Sequence, residues 1–457
     1  MVPKPCAIRS VHSVHRILCP SHRNLYFCPK NLHRSAIMRA ERCEFEAFQS
    51  GHCSGTMEDV KRKIKIRIGL EPGYHLIPRC RSGLLKYQPK RDDLPYRCMR
   101  DSFTTAVLPN SSITKRERYV NHMGQVRVGA LMEDLDMFAV WICHRHVKVP
   151  ALPRGIPLPY VFVTMLVDKI DFYNIHNVDA NEDIELCGHV SWVGLSSLEI
   201  TIYMQQKLRT ITKAILMMVS RNATNTRAAP VNLLKPDGKE EQHCFDDAIK
   251  RQKRRRAKYS NQSLINRPSI NDEMLMFELY RRTNGTDIAK EELLEEPPNC
   301  SWMSKSSQTT MLHPFPDSRN AQNNIFGGYL MRNAVELSFI TASIYSRSRP
   351  YIECILDIAF FSRIKVNSFI KITAYVVYTY EKYMQLLTVV QVMNANNFEE
   401  FTTNTFHLTY SVDQPVKEVL PSTYQETLWY IEGRKKFLDF QRLRNQRQSE
   451  TVDSECN

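Results

Sequence analysis

The sequence predicts an α+β fold built twice over in one chain, each half a long apolar helix wrapped by antiparallel sheet. Three observations carry this. Two distant segments, VRVGALMEDLDMFAVWIC (Val126 to Cys143) and NIFGGYLMRNAVELSFITASI (Asn324 to Ile344), are glycine-marked at their starts and apolar round most of a helical circumference, as buried helices are. Each is followed by a Pro-Tyr step and then by runs rich in Val, Ile, Thr and Tyr, in the same order. No helical pattern interrupts those runs, and consecutive strands without intervening helices pair antiparallel.

The elements follow in order. In the first half the helix leads to PYVFVTMLVDKIDF from Pro159, then DIELCGHVSWV, SLEITIYMQ and AILMMVS, the last from Ala214. The second half has PYIECILDIAFFSRI from Pro350, then SFIKITAYVVYTY, YMQLLTVVQVM and TTNTFHLTYSV from Thr402. An isolated helix that is apolar nearly all round must be wrapped by sheet, which is the hotdog architecture. Two copies in one chain should pair as a pseudo-dimer about an approximate two-fold axis. The expected organisation is a presequence-like segment at 1–40, an N-terminal extension at 41–96, a first hotdog domain at 97–222, a polar connecting segment at 223–307, a second hotdog domain at 308–425 and a C-terminal tail at 426–457.

Composition narrows the function classes. No apolar run approaches the roughly 18 residues of a membrane-spanning helix. Thirteen cysteines are scattered without a Cys-x-x-Cys pair, which reads as reduced thiols, not as a disulfide framework. Cys19, His22 and Cys28 lack the paired spacing of zinc fingers, so no metal and no cofactor is assigned. The first forty residues hold seven Lys or Arg and no acid before Glu41, the composition of a mitochondrial matrix presequence. That segment supplies half of the formal net charge of +14, so the charge does not by itself imply nucleic acid, and none is expected as a partner. The run KRQKRRRAK, Lys250 to Lys258, reads first as a solvated helix face and second as a phosphate or nucleic-acid site. A nuclear localisation signal fits those residues too, against the message of the presequence. Neither a Gly-x-Ser-x-Gly elbow nor a Walker or dinucleotide motif occurs.

The segments MRDSFTTAVLP, VRVGALMEDLD, LVDKIDF, GHVSWVG and NIFGGYLMRNAVELSF together resemble the mitochondrial acyl-CoA thioesterases with two hotdog domains, over about Asp93 to Tyr410. The resemblance implies that an Asn just before the Gly-Gly of one domain works with an acid inside the helix of the other. It also implies an acyl-CoA substrate and an oligomer of pseudo-dimers. Counted from the second glycine, the Asn is Asn324 before Gly328, and the acid, counted from Gly129, is Asp136. The mirror positions hold Gln125 and Val335, so one cleft has both groups and its twin has neither.

The chemistry suits these residue types. Thioester hydrolysis needs an activated water and a donor for the carbonyl oxygen. Helix-start amides at Gly327 and Gly328, open because no side chain covers them, suit the second task, and Gly129 marks the equivalent place in the twin. Asp136, among Met132, Ala139 and Val140, should be desolvated and therefore more basic. It would act as general base, or attack directly to form an anhydride; a structural role would pair it with Arg127 or His144, and Glu133 and Asp134 are its rivals. Asn324 would hold the water or the carbonyl, and could also cap the helix. Two other functions remain open at this point: a hotdog dehydratase using His122 or His313, and a non-catalytic sensor of acyl-CoA or nucleotide.

Overall fold

The computed structural model describes residues 52–70, 80–172, 175–207, 209–260, 268–284, 295–315, 318, 320, 324–360 and 362–455. The presequence-like segment and Cys19, His22 and Cys28 lie outside the described residues. Thirteen strands are described: β1 His52–Thr56, β2 Thr104–Leu108, β3 Tyr160–Asp171, β4 Ile184–Val193, β5 Ser197–Gln206, β6 Arg209–Asn222, β7 Cys300–Trp302, β8 Gln308–Leu312, β9 Tyr351–Ala359, β10 Ser368–Tyr380, β11 Tyr383–Asn394, β12 Glu400–Ser411 and β13 Glu418–Leu420.

Eleven of them make one sheet in the order β1-β2-β4-β5-β6-β3-β9-β12-β11-β10-β8. Read outward from the centre, β3-β6-β5-β4-β2 is matched by β9-β12-β11-β10-β8, the same five-strand order in each half. The halves join where β3 pairs antiparallel with β9, Leu166 opposite Ala359 and Asp171 opposite Cys354. This is a double hotdog fold. The short strands β2 and β8, on the outer side of β4 and β10, escaped the sequence reading because five residues offer too little periodicity.

The first central helix runs Val128–His146 and the second Gly327–Ser346. Along the first, Leu131, Met132, Leu135, Phe138, Ala139 and Ile142 are buried, and along the second Leu330, Met331, Ala334, Val335 and Ala342. The sheet curves round these two helices, which lie against each other. Burial on nearly every face of the first helix explains why it lacks the polar stripe of a surface helix; the second exposes Ile340 and Ile344 toward its end.

Three of the longer helices among the described residues cover the sheet or the helix pair. Met57–Ile68 buries Met57, Val60 and Ile64 and is closed at its start by a Thr56–Asp59 capping box. The helix Gly238–Ser260 carries the basic run, and here a purely solvated face is too simple a reading. Its Arg251 and Arg255 turn in to Glu199 on β5, which is fully buried; Arg251 meets it at 2.7 Å, and Arg255 also meets Asp168 at 3.1 Å. A carboxylate so placed must be paired, because an isolated buried charge is very costly. Lys253, Arg254 and Arg256 of the same run stay exposed. The C-terminal residues Tyr424–Glu455 form a helix, on which Phe437 and Phe440 lie against Tyr383. No helix among the described residues is long and apolar enough to cross a membrane.

Candidate functional site

Two cavities flank the helix pair, one at the start of each helix. The first, of about 220 Å³, is lined among others by Asp136, Thr164, Asn320, Asn324, Gly327, Phe360, Arg221 and Arg363. The second, of about 500 Å³, is lined among others by Asn121, Gln125, Arg127, Gly129, Val335, Glu336 and Tyr410. Residues counted as equivalent in the sequence therefore fall into equivalent places: Asp136 with Asn324 in one cavity, Val335 with Gln125 in the other.

The glycines are set first by packing. A Cβ on Gly328 would stand 3.0 Å from both Cα and O of Glu133, and one on Gly129 would meet Glu336 at 2.8 Å and the carbonyl of Arg332 at 3.0 Å. Each helix start thus presses on the backbone of the other helix, and only a residue without a side chain allows that approach. Arg332 and Glu133 pair across the same crossing at 2.9 Å. Gly327 is different: its Cβ would lie 3.2 Å from the Phe360 ring and 3.6 Å from the Asp136 carboxylate, facing the cavity. Gly327 thus packs on Phe360 at the cavity wall, whereas helix crossing accounts for Gly328.

Asp136 is buried, 1% exposed. One carboxylate oxygen accepts the Gly328 N–H at 2.7 Å, and the other accepts the hydroxyl of Thr164 on β3. The Gly328 amide is therefore engaged by the acid, which corrects the expectation that both glycine amides stand open. The N–H of Gly327, first residue of the helix, has no acceptor within the helix. Burial pushes the Asp136 pKa above the ordinary aspartate value, the Thr164 and Gly328 hydrogen bonds oppose it, and the nearby Glu133 charge adds to the rise.

The structural partners considered for Asp136 are elsewhere. Arg127 binds Glu336 at 2.8 Å. His144 stands edge-on to Phe162 at 5.0 Å, and burial, with Arg67 and Arg81 nearby, pushes its pKa down to about 3, so it is neutral. The rival acids are committed to structure as well: Asp134 to Lys61 at 2.6 Å and Tyr119 at 2.7 Å, Glu133 to Arg118 at 3.0 Å and Arg332. His122 lines the second cavity, and His313 lies among Phe315 and Phe369, so neither faces Asp136.

Asn324 lies in the segment before the second central helix and does not cap it; the N-cap position is Phe326, with no side-chain bond. Its backbone N–H donates to the side-chain oxygen of Asn320 at 3.2 Å, and the Asn320 N–H donates to its carbonyl at 2.7 Å. The twin repeats this closure: Gln125 N–H donates to the Asn121 side chain at 2.9 Å and Asn121 N–H to the Gln125 carbonyl at 2.8 Å. So the twin retains an Asn of the loop, and what it lacks is the acid. Two residues of the first cavity were missed in the sequence. Asn320 stands as far before Gly328 as Asn121 stands before Gly129, a signal the repeat contained. Thr164 had none, because it reaches Asp136 only through the packing of β3 on the helix.

No family model matches the sequence. Among curated proteins, mouse acyl-coenzyme A thioesterase 9, mitochondrial, is 34% identical over 365 residues, 78% of this chain and 82% of its own length. The human protein of that name is 34% identical over 353 residues, 76% of this chain and 79% of its own. A hop (Humulus lupulus) acyl-coenzyme A thioesterase 2, chloroplastic, is 28% identical over 376 residues, 76% of this chain and 83% of its own. Among solved structures, a Staphylococcus aureus acyl-CoA hydrolase aligns with 35% of this chain and 99% of its own at 21% identity and a TM-score of 0.31, too loose a superposition to argue from.

Proposed function

The chain belongs to the mitochondrial acyl-CoA thioesterases, and from that premise we propose that it hydrolyses acyl-CoA to free fatty acid and CoA by water attack in the first cavity alone. The observation that carries this reading is the buried Asp136 carboxylate lining one cavity with Asn324 and Gly327 at the start of the second helix.

In this mechanism the thioester carbonyl oxygen accepts the Gly327 N–H at the positive end of the second helix. Asp136, its basicity raised by burial, takes a proton from water as the water oxygen bonds to the carbonyl carbon. A carboxamide from the Asn320–Asn324 loop orients that water, able to donate and accept at once. Collapse of the tetrahedral intermediate breaks the C–S bond, and the proton held by Asp136 passes to the departing CoA sulfur. Thr164 and the Gly328 amide are positioning groups that fix both carboxylate oxygens. The twin cavity, with Val335 at the place of the acid, does no acid-base work.

The protein is mitochondrial, as its relatives are named, and we place it in the matrix on the composition of residues 1–40. We propose for its domains the boundaries expected from the sequence, with β1 of the N-terminal extension added to the first hotdog sheet, and we propose further assembly of the pseudo-dimers into oligomers. The decisive experiment follows free thiol release from a panel of acyl-CoA chain lengths by wild type and Asp136→Ala. Release by the wild type that the variant loses supports the reading; equal release by a folded variant would refute it.

A further inference from the structure

The first cavity contains two cations that the hydrolytic chemistry does not use. Arg221, near the end of β6, and Arg363, just beyond β9, come from different halves of the chain and both line it. Their guanidinium groups donate to one and the same oxygen, the backbone carbonyl of Asn225, at 3.3 and 3.0 Å. Two like charges are thus brought side by side. Neither has a carboxylate partner among the described residues, and among these Asp136 is the only acid lining the cavity.

The arrangement is built, not incidental. Asn222 holds the turn, its side-chain oxygen accepting the N–H of Thr226 at 2.8 Å, and the backbone of Asn225 is left-handed, with φ 58°. Asn225 is 3% exposed, and among the described residues its side-chain oxygen has no partner, nor has the buried Nε of Arg221. Buried polar atoms are rarely left so, and an unmatched donor and acceptor in one cavity mark a ligand that brings both. Burial, and after it the neighbouring Arg363 charge, depresses the Arg221 pKa. An anion there would relieve the repulsion.

We propose that Arg221 and Arg363 form a cradle for the phosphates of CoA, with the Asn225 side-chain oxygen accepting an N–H of the pantetheine arm. The inference rests on the acyl-CoA reading of this cavity. Position supports it. In the β3–β6 pairing Thr164, which touches Asp136, is opposite Met218, whereas Arg221 is opposite Val161. Three residues of strand separate the two points by about 10 Å, to which the arginine side chain adds its own length. The phosphates of CoA are separated from the thioester by the whole pantetheine arm, so their site belongs at such a remove from the acid. Guanidinium groups match phosphate oxygens in pairs, and the pair here joins the two halves over the ligand.

The test compares acyl-CoA with the same acyl group on pantetheine, which lacks the phosphates. In the double variant R221A/R363A, the ratio of kcat/KM for acyl-CoA over acyl-pantetheine should fall at least tenfold, chiefly through KM, and R221K/R363K should recover part of it. An unchanged ratio overturns the cradle, even if both activities drop. Calorimetry with CoA itself needs no turnover and separates the failure of this inference from failure of the hydrolytic reading. Wild type that binds CoA at least tenfold more tightly than R221A/R363A supports the cradle whether or not hydrolysis is seen; equal affinities, or no binding by the wild type, overturn it.

Discussion

The two cavities of this molecule share a backbone plan and differ in chemistry. Each lies at the start of a central helix, behind a loop closed by an Asn four residues upstream of its Asn or Gln, with a glycine pressed against the backbone of the other helix. In one the facing helix presents Asp136, held by Thr164 and Gly328; in the other it presents Val335, 3% exposed. Thr164 stands four residues after Tyr160, and Ile355 four after Tyr351, so the hydroxyl that positions the acid is missing from the twin strand as well. The larger cavity, about 500 against 220 Å³, is the one without the acid. Pseudo-symmetry therefore preserves what packing requires, and leaves free what only chemistry requires.

The comparison can be broken most directly at its acid. Asp136→Ala should lower kcat/KM by about 10²- to 10⁴-fold, the range of a general acid-base group, whereas Val335→Ala should change it less than about twofold. Comparable losses in the two, measured by thiol release on proteins with matching thermal melts, would show that both cavities work. Next in size is the loop amide. Whichever of Asn320 and Asn324 orients the water should cost about a hundredfold on change to Ala, and Gln125→Ala should cost little. Two fully active Asn variants would remove the carboxamide from the mechanism.

Thr164→Val sharpens the comparison by making the first strand resemble its twin. Its hydrogen bond favours the Asp136 anion, so its loss should cost about tenfold at neutral pH and move the acid limb of the pH–kcat/KM profile upward. The smallest effect is in the wild-type profile. A base whose pKa is raised is protonated earlier as pH falls, so kcat/KM should decline with an apparent pKa above the ordinary aspartate value. An acid limb lying below that value would contradict a desolvated Asp136.

Much of the site was legible because it is carried by repeat spacing. With the offsets that the family resemblance implies, Asp136 and Asn324 follow from counting outward from Gly129 and Gly328, and the absence of the acid at Val335 follows from the same count. Asn320 was equally countable and was passed over for the nearer Asn. The role of Gly328 was misjudged for a physical reason: glycine permits close approach of anything, and the sequence does not say whether a ligand or another helix comes close. The basic run is a similar case, since charge pattern gives a helix face but not that Glu199 waits beneath Arg251 and Arg255.

The sequence by itself determined the two apolar helices, the long strands that follow each and their repetition, because hydrophobic period and β-branched composition are local properties that chain order records. Only the tertiary structure decided which groups meet: Thr164 with Asp136, Gly328 with the same carboxylate, Arg221 beside Arg363 over the Asn225 carbonyl. Those meetings join residues from separate strands and separate halves. Their distances depend on how two helices cross against one curved sheet, and no local pattern encodes a crossing.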